Sequence, residues 1–450
     1  MADWTPESVA ALAPDAASAS AGQALASIKK WKSVGASARA VWGLCQGSGK
    51  DPYQTRIDLN GPAFKCSCPS RKFPCKHGIG LLLIYAKDRA SFTSKDEPAW
   101  VTDWIGGRTE KAEKKAEKAK VEAEKPVDVE AQAKRAAKRD ERVRAGVAEC
   151  ASWLEDLVRH GLASAQRDKA SEWDRITARM VDAQAPGLAT FVRRVEAAMA
   201  SGEGWEVRTL DRIGNLHLLL EAAAKLDALP PELTGDVRTA LGYTQSKEDV
   251  LSAPGVTDHW GVIGLMYEEE ERLTTRRTWL VGRDSGRYAL VLDFSAGGQR
   301  FDASFVPGTQ FEGEIGFYPS AHPVRALLKR RGESSRMDEA RLAAWAAGAE
   351  ANLAGYAAAL AQNPWLVRWP MVLGDARLVR AGVAWMIADG EGRSVPLRAG
   401  FAGGMQLWRL LSASGGRGRT VVGEWDGMSL LPLGAFGSGA FLDLAPRWAA

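Results

Sequence analysis

Four residues within twelve positions constrain this chain more than any other feature. They are Cys66, Cys68, Cys75 and His77, in the stretch KCSCPSRKFPCKHGIG, residues 65–80. The spacing is Cys-x-Cys-x6-Cys-x-His, and it takes up three of the chain's five cysteines. Three thiolates and an imidazole make a closed tetrahedral donor set for one zinc ion. A set with no open position suits structural rather than catalytic zinc. The complex would carry a charge of −1, and Lys65, Arg71, Lys72 and Lys76 stand beside it to offset that charge.

The surrounding pattern explains how four such side chains meet. YQTRIDL alternates like a strand, and Gly61-Pro62 interrupts it. Cys66 and Cys68, two apart, lie on one side of an extended segment. Pro69, Ser70 and Pro74 favour turns that bring the chain back. His77 then opens an apolar helix, HGIGLLLIYAK. The ligands are expected to converge from a strand end, a loop and a helix start.

Other chemistries use the same residue types. A Cys66–Cys68 disulfide closes a very short, strained ring and needs an oxidising compartment. Redox couples favour Cys-x-x-Cys at a helix start, a spacing absent here. An iron–sulfur cluster with one histidine ligand draws on the same donors. The four-ligand count favours zinc.

The cluster, its preceding polar strand and its following apolar helix are similar to the SWIM-type zinc finger. The first hundred residues, with WKSVGASARAVWGLCQGSGKDPYQTRIDL before the cluster and YAKDRASF after it, resemble bacterial SWIM zinc finger proteins. The resemblance implies one structural Zn2+ on Cys66, Cys68, Cys75 and His77, and binding of DNA or of other proteins. It also implies partners such as MoxR-like AAA+ ATPases and von Willebrand factor A-type proteins.

Composition divides the chain into four parts, and the fold class expected is multidomain α+β. Residues 1–107 hold the cluster. Residues 108–145 are alanine and charge with no large apolar residue except valine, which predicts a charged linker, helical or disordered. Residues 146–253 repeat apolar positions every three or four residues, as in CASWLEDLVRHGL, which predicts a helical domain. Residues 254–450 turn to short strand-like runs such as RTWLVGR and RYALVLDF. These predict antiparallel strands around an intervening helix, Met337–Gln362. Two β-rich halves flanking a helix suggest a diverged duplication. More than half of the seventeen tryptophans fall beyond Gly204, where strand-like placement makes them core residues rather than base-stacking platforms.

No N-terminal leader pattern and no apolar run of membrane-spanning length is visible, so a cytoplasmic location is expected. There thiols stay reduced.

Nothing else rises to a catalytic motif. Gly49-Lys50 in WGLCQGSGKDPY imitates the end of a P-loop, but Leu44 and Asp51 stand where a glycine and a hydroxyl are required. A hairpin turn is expected instead. His217 reads as a helix-packing residue, and Cys45 and Cys150 as small buried hydrophobes. Glu268–Glu271 reads as a solvated run, and GGRGR at 415–419 as a glycine-rich hairpin loop.

The sequence therefore predicts a non-enzymatic zinc-binding adaptor that holds nucleic acid or a protein partner. The alternative is an enzyme with its active site in residues 255–450, targeted by the finger. Residues 1–107 carry thirteen Lys or Arg against nine Asp or Glu, a surplus too small to choose between the two kinds of partner.

Overall fold

The first sheet of the chain is covered on both faces. A computed structural model of the chain describes residues 6, 9, 12 and 16–445, apart from 48, 50, 60–62, 71–73, 94–95, 109, 111–128, 163–169, 271–272, 297–300, 302–304, 338 and 438–439. Strands β1 (Trp31–Ala36), β2 (Ala40–Cys45), β3 (Tyr53–Asp58) and β4 (Ala63–Cys66) form an antiparallel meander in that order. On one face lies a core of Trp31, Val41, Ile57, Phe64 and the Leu81–Leu83 run. It is built with helices α1 (Ala16–Ala24) and α2 (Lys76–Lys87). On the other face, helical residues 99–108 bring Val101 and Ile105 against Ala40 and Trp42. The alternation read in YQTRIDL is thus a strand, β3, but its burial is continuous from Thr55 to Asp58.

Half of the charged stretch expected as a linker, residues 109 and 111–128, lies outside the described residues. Residues 129–145 are continuous with the helical region after them. Helix α3 (Val129–His160) runs unbroken across position 145, with its apolar stripe beginning only at Val143. Alanine and long charged residues have high helix propensity, so the helix extends beyond the part that packs.

From Val143 the stripe continues through Val147, Cys150, Leu154 and Leu157, at steps of four, three, four and three. It packs with α4 (Ala170–Asp182), α5 (Pro186–Met199) and α6 (Trp205–Ala224) as a four-helix bundle, and α7 (Pro231–Leu241) lies against α5 and α6. Trp365, far away in sequence, completes this core.

A short helix, α8 (Lys247–Ser252), leads into β5 (Val256–Glu270), β6 (Leu273–Gly282), β7 (Tyr288–Ala296), β8 (Thr309–Phe317) and β9 (Arg325–Arg336). They close a barrel in the order β5-β6-β7-β9-β8. All pairings are antiparallel except β7 with β9. Third and fifth strands in parallel, with first and fourth closing the ring, is the connectivity of an OB-type Greek-key barrel. The expectation of hairpins alone missed this parallel pair, because its partners are separated by a whole strand.

The last region is an open antiparallel sheet, β12-β11-β10-β13-β14-β15. Its strands are β10 (Trp369–Ala381), β11 (Ala384–Ala388), β12 (Ser394–Pro396), β13 (Arg419–Trp425), β14 (Leu430–Gly437) and β15 (Ala440–Asp443), with α9 (Ala349–Gln362) and α10 (Met405–Ser414) packed on it. A closed barrel and an open sheet of different strand order do not share a topology, which removes the structural basis for a duplication.

The barrel and the sheet share one core. Trp279 and Val281 of β6 join Met371, Leu373, Val421 and Leu433, and Tyr288 and Leu290 of β7 pack on the same cluster. In OB-type barrels the second and third strands form the usual face for oligonucleotides. Here that face is covered by the chain's own sheet.

Candidate metal centre

Each ligand is placed by a different local device. Cys66 ends β4, opposite Thr55 of β3. Cys68 lies two residues on, after Ser67 has exchanged hydrogen bonds with Gln54. Cys75 is the N-cap of α2 and His77 sits in its first turn. A Cβ on Gly78 would lie 2.8 Å from Phe64 of β4. That bare glycine lets the start of α2 approach the strand closely enough for Cys75 and Cys66 to face each other.

The four ligand atoms lie within 4.8 Å of one another. His77 presents Nδ1, which is 3.8 Å from Cys66 Sγ and 3.9 Å from Cys75 Sγ. Zinc–sulfur bonds of about 2.3 Å and a zinc–nitrogen bond of about 2.0 Å imply sulfur–nitrogen edges of roughly 3.5 Å in a tetrahedron. The donor set and its spacing fit one ion. All five cysteines are free, so the disulfide reading falls away. Cys66, Cys68, Cys75 and His77 are positioned to bind one zinc ion.

The thiols are graded in acidity. A hydrogen bond from Cys66, then contacts with His77 and the Gly78 backbone N–H, outweigh burial and hold the Cys75 thiol below the usual thiol range. The same contact with Cys75, followed by burial, pushes Cys66 up, and burial pushes up Cys68. A thiolate is therefore favoured at the helix N-terminus, where backbone N–H groups converge. Metal binding would release the remaining thiol protons.

Two supporting residues escaped the sequence reading. Thr55 Oγ1 is 3.2 Å from Cys66 Sγ, and the Tyr53 ring lies 5.1 Å from the His77 ring, centroid to centroid. Both come from β3, and both depend on a cross-strand register that spacing along the chain does not reveal.

A second group, Asp258, His259 and Asp284, also gathers donor atoms. Asp258 already accepts from the backbone N–H groups of His259, Asp284 and Ser285 and from the Ser285 hydroxyl. Arg283 pairs with Asp284. These bonds account for the group as a brace of the β6–β7 turn.

The remaining sequence candidates take structural roles. WGLCQGSGKDPY is the β2–β3 hairpin, with Cys45 opposite Tyr53. Cys45 and Cys150 are buried, and burial raises both thiols, Cys150 to about 12. His217 is exposed rather than packed, because α6 turns Leu216 and Leu219 inward instead. Glu268 is not merely solvated, since it pairs with the buried Arg277. Residues 415–419 are not a hairpin loop. Gly415 and Gly416 have positive φ and end α10, leading into β13. Trp260, Trp279, Trp365, Trp369 and Trp425 are buried as expected, whereas Trp408 is exposed.

Comparison with known families agrees with this geometry. Residues 58–86 match the family model of the SWIM zinc finger, spanning all four ligands. Residues 138–241 match that of the SWIM-associated four-helix bundle domain, spanning α4 to α7 and most of α3. No curated protein and no solved structure matches the chain.

Proposed function

We propose that this chain is a zinc-dependent adaptor whose finger holds the phosphate backbone of a nucleic acid. The observation that carries this reading is the uneven charge of the finger's sheet. At the metal end, Lys76 is exposed beside the ligands, and Lys29, Lys30 and Lys32 are exposed around the start of β1. That start belongs to the same end, because Trp31 stands opposite Cys45 and Cys45 opposite Tyr53. Asp51 in the β2–β3 hairpin is the acid nearest in sequence to these pairs. At the other end the charges are matched, Arg39 with Glu97 at 2.6 Å and Arg108 with Asp58 at 3.3 Å. Arg71 and Lys72 lie outside the described residues.

The bundle, barrel and sheet serve as the body that presents the finger, and the AAA+ ATPase or von Willebrand factor A-type partners implied by the resemblance would dock there. A non-catalytic role is supported by how the buried carboxylates are used. Glu424 binds Arg277, Arg368 and Trp279, Asp258 braces a turn, and Asp389 accepts three backbone N–H groups.

The test is fluorescence anisotropy of the full chain with a labelled oligonucleotide across a salt series. Phosphate contacts release counterions, so affinity should fall steeply from about 50 to about 200 mM salt. Lys30→Glu with Lys76→Glu should weaken binding about tenfold at low salt and flatten the salt slope. No binding at the lowest salt would refute the nucleic-acid reading and leave a protein as the partner.

A further inference from the structure

Helix α6 is apolar on two opposite sides. Ile213, Leu216, Leu219 and Leu220 are buried in the bundle core. On the far side Val207, Leu210 and Leu218 are left 75%, 65% and 46% exposed. With Gly214 they follow steps of three, four and four, so they line one stripe about 16 Å long. A helix apolar all round is ordinarily buried all round. The bundle covers one side only.

Gly214 sits within the stripe, and nothing lies within 4 Å of where its Cβ would be. It leaves a hollow between Leu210 and Leu218 that a bulky side chain can enter. Acids border the stripe, with Glu203, Glu206, Asp211 and Glu221 all exposed and His217 and Lys225 toward the far end. Lys225 pairs with Glu221 at 2.9 Å and Arg212 with Asp211 at 3.5 Å. Among the described residues no cation pairs with the side chain of Glu203 or Glu206.

Helix α10 carries the opposite rim. Its Leu407 and Leu410 are buried with the C-terminal sheet. On its other side Met405 and Trp408 are left 73% and 61% exposed, with Arg409 and Ser412 exposed beside them. An indole this exposed leaves in water a large apolar area that folding usually buries. Arg409 donates to the Gln406 side chain at 2.8 Å, and Arg417 is exposed just past the helix end. Among the described residues neither arginine forms an ion pair. Asp375, close against Gly418, is taken by Arg377 at 3.0 Å.

We propose that the α6 face of one copy of this chain receives the α10 face of a second copy, with Trp408 seated over Gly214. An aromatic side chain in a central hollow is the usual anchor of such a contact. Arg409 and Arg417 then meet the acidic rim of α6. Pairing α6 with α6 would set acids against acids, and α10 with α10 would set Arg409 against Arg409, so charge selects the mixed pairing. The two copies use different surfaces, which leaves one α6 face and one α10 face open on every pair. Copies therefore add head to tail, and each brings another zinc finger. Assembly of this kind does not depend on what the finger holds.

The experiment is sedimentation velocity of the full chain from about 1 to about 100 μM, where contacts of modest area assemble. The mean sedimentation coefficient should rise with concentration and fall back at high salt, since the rim charges are exposed. Leu210→Glu spoils the α6 face and Trp408→Glu the α10 face. Each variant alone should stay at the monomer value. Both positions are exposed, so their thermal midpoints should match wild type and exclude misfolding as the cause. Mixed in equal amounts, the two variants should form a dimer and stop there, because only one α6 face and one α10 face remain intact between them. A wild-type chain that stays monomeric, a single variant that still assembles, or a mixture that stays monomeric overturns the contact.

Discussion

Thr55 is not a zinc ligand, yet its hydroxyl points at Cys66 Sγ from the facing strand. Hydrogen bonds of this kind orient a ligand and stabilise its thiolate. Thr55→Val keeps the shape of the side chain but removes the donor. It should lower zinc affinity about tenfold, measured by competition with a chromophoric chelator, because outer contacts to metal ligands are worth roughly 10- to 100-fold. An unchanged affinity would show that the hydroxyl serves β3 rather than the metal. At this scale the four ligands themselves were legible, since spacing and donor type are written directly in the chain. Thr55 and Tyr53 were not, because their role depends on which residues a neighbouring strand sets opposite them.

Among the elements, α5 and α7 approach closely because two glycines meet. A Cβ on Gly187 would lie 2.1 Å from the Ala240 carbonyl oxygen and 2.8 Å from Gly242 N, all backbone and unable to move aside cheaply. Gly242 ends α7 at φ +105, where Tyr243 N donates to Arg238 O at 2.9 Å. Gly187→Ala should therefore destabilise the bundle by about 1–3 kcal/mol, read from the urea midpoint. A shift within error would mean that the helix pair adjusts without strain. The helices themselves were readable from three- and four-residue apolar spacing. Their extension back to Val129 was not marked by that signal, since alanine and charge carry a helix with no stripe to detect. The exposed side of α6 shows the converse. His217 lay in an apolar run, and only packing decided which side of the run faced the core.

For the whole molecule, the finger has cores drawn from residues 9–105, whereas Trp365 links the C-terminal region to the bundle and Trp279 links barrel to sheet. Glu424, fully buried, joins these last two by binding Arg277 and Trp279 from β6. The finger should then depend on metal while the rest does not. Cys68→Ser should drop zinc content from about one per chain to well below half by elemental analysis. The main thermal transition should stay within a few degrees of wild type. Structural zinc contributes on the order of 10 kcal/mol to the folding of the part it organises. Loss of the main transition in this variant would refute separate cores. Among the described residues no helix is long and apolar enough to cross a membrane.

The sequence by itself determined the metal ligands, the succession of helical and β-rich regions, and the absence of a recognisable catalytic motif. These are properties of spacing, period and residue type along the chain. Tertiary structure alone decided that β7 and β9 run parallel to close a barrel and that the barrel's second and third strands face the chain's own sheet. It also decided that Trp365 of the C-terminal region packs into the core of the helical bundle. Each of these requires residues tens to more than a hundred positions apart to meet. Which of them meet depends on the packing of whole faces, and no local pattern records it.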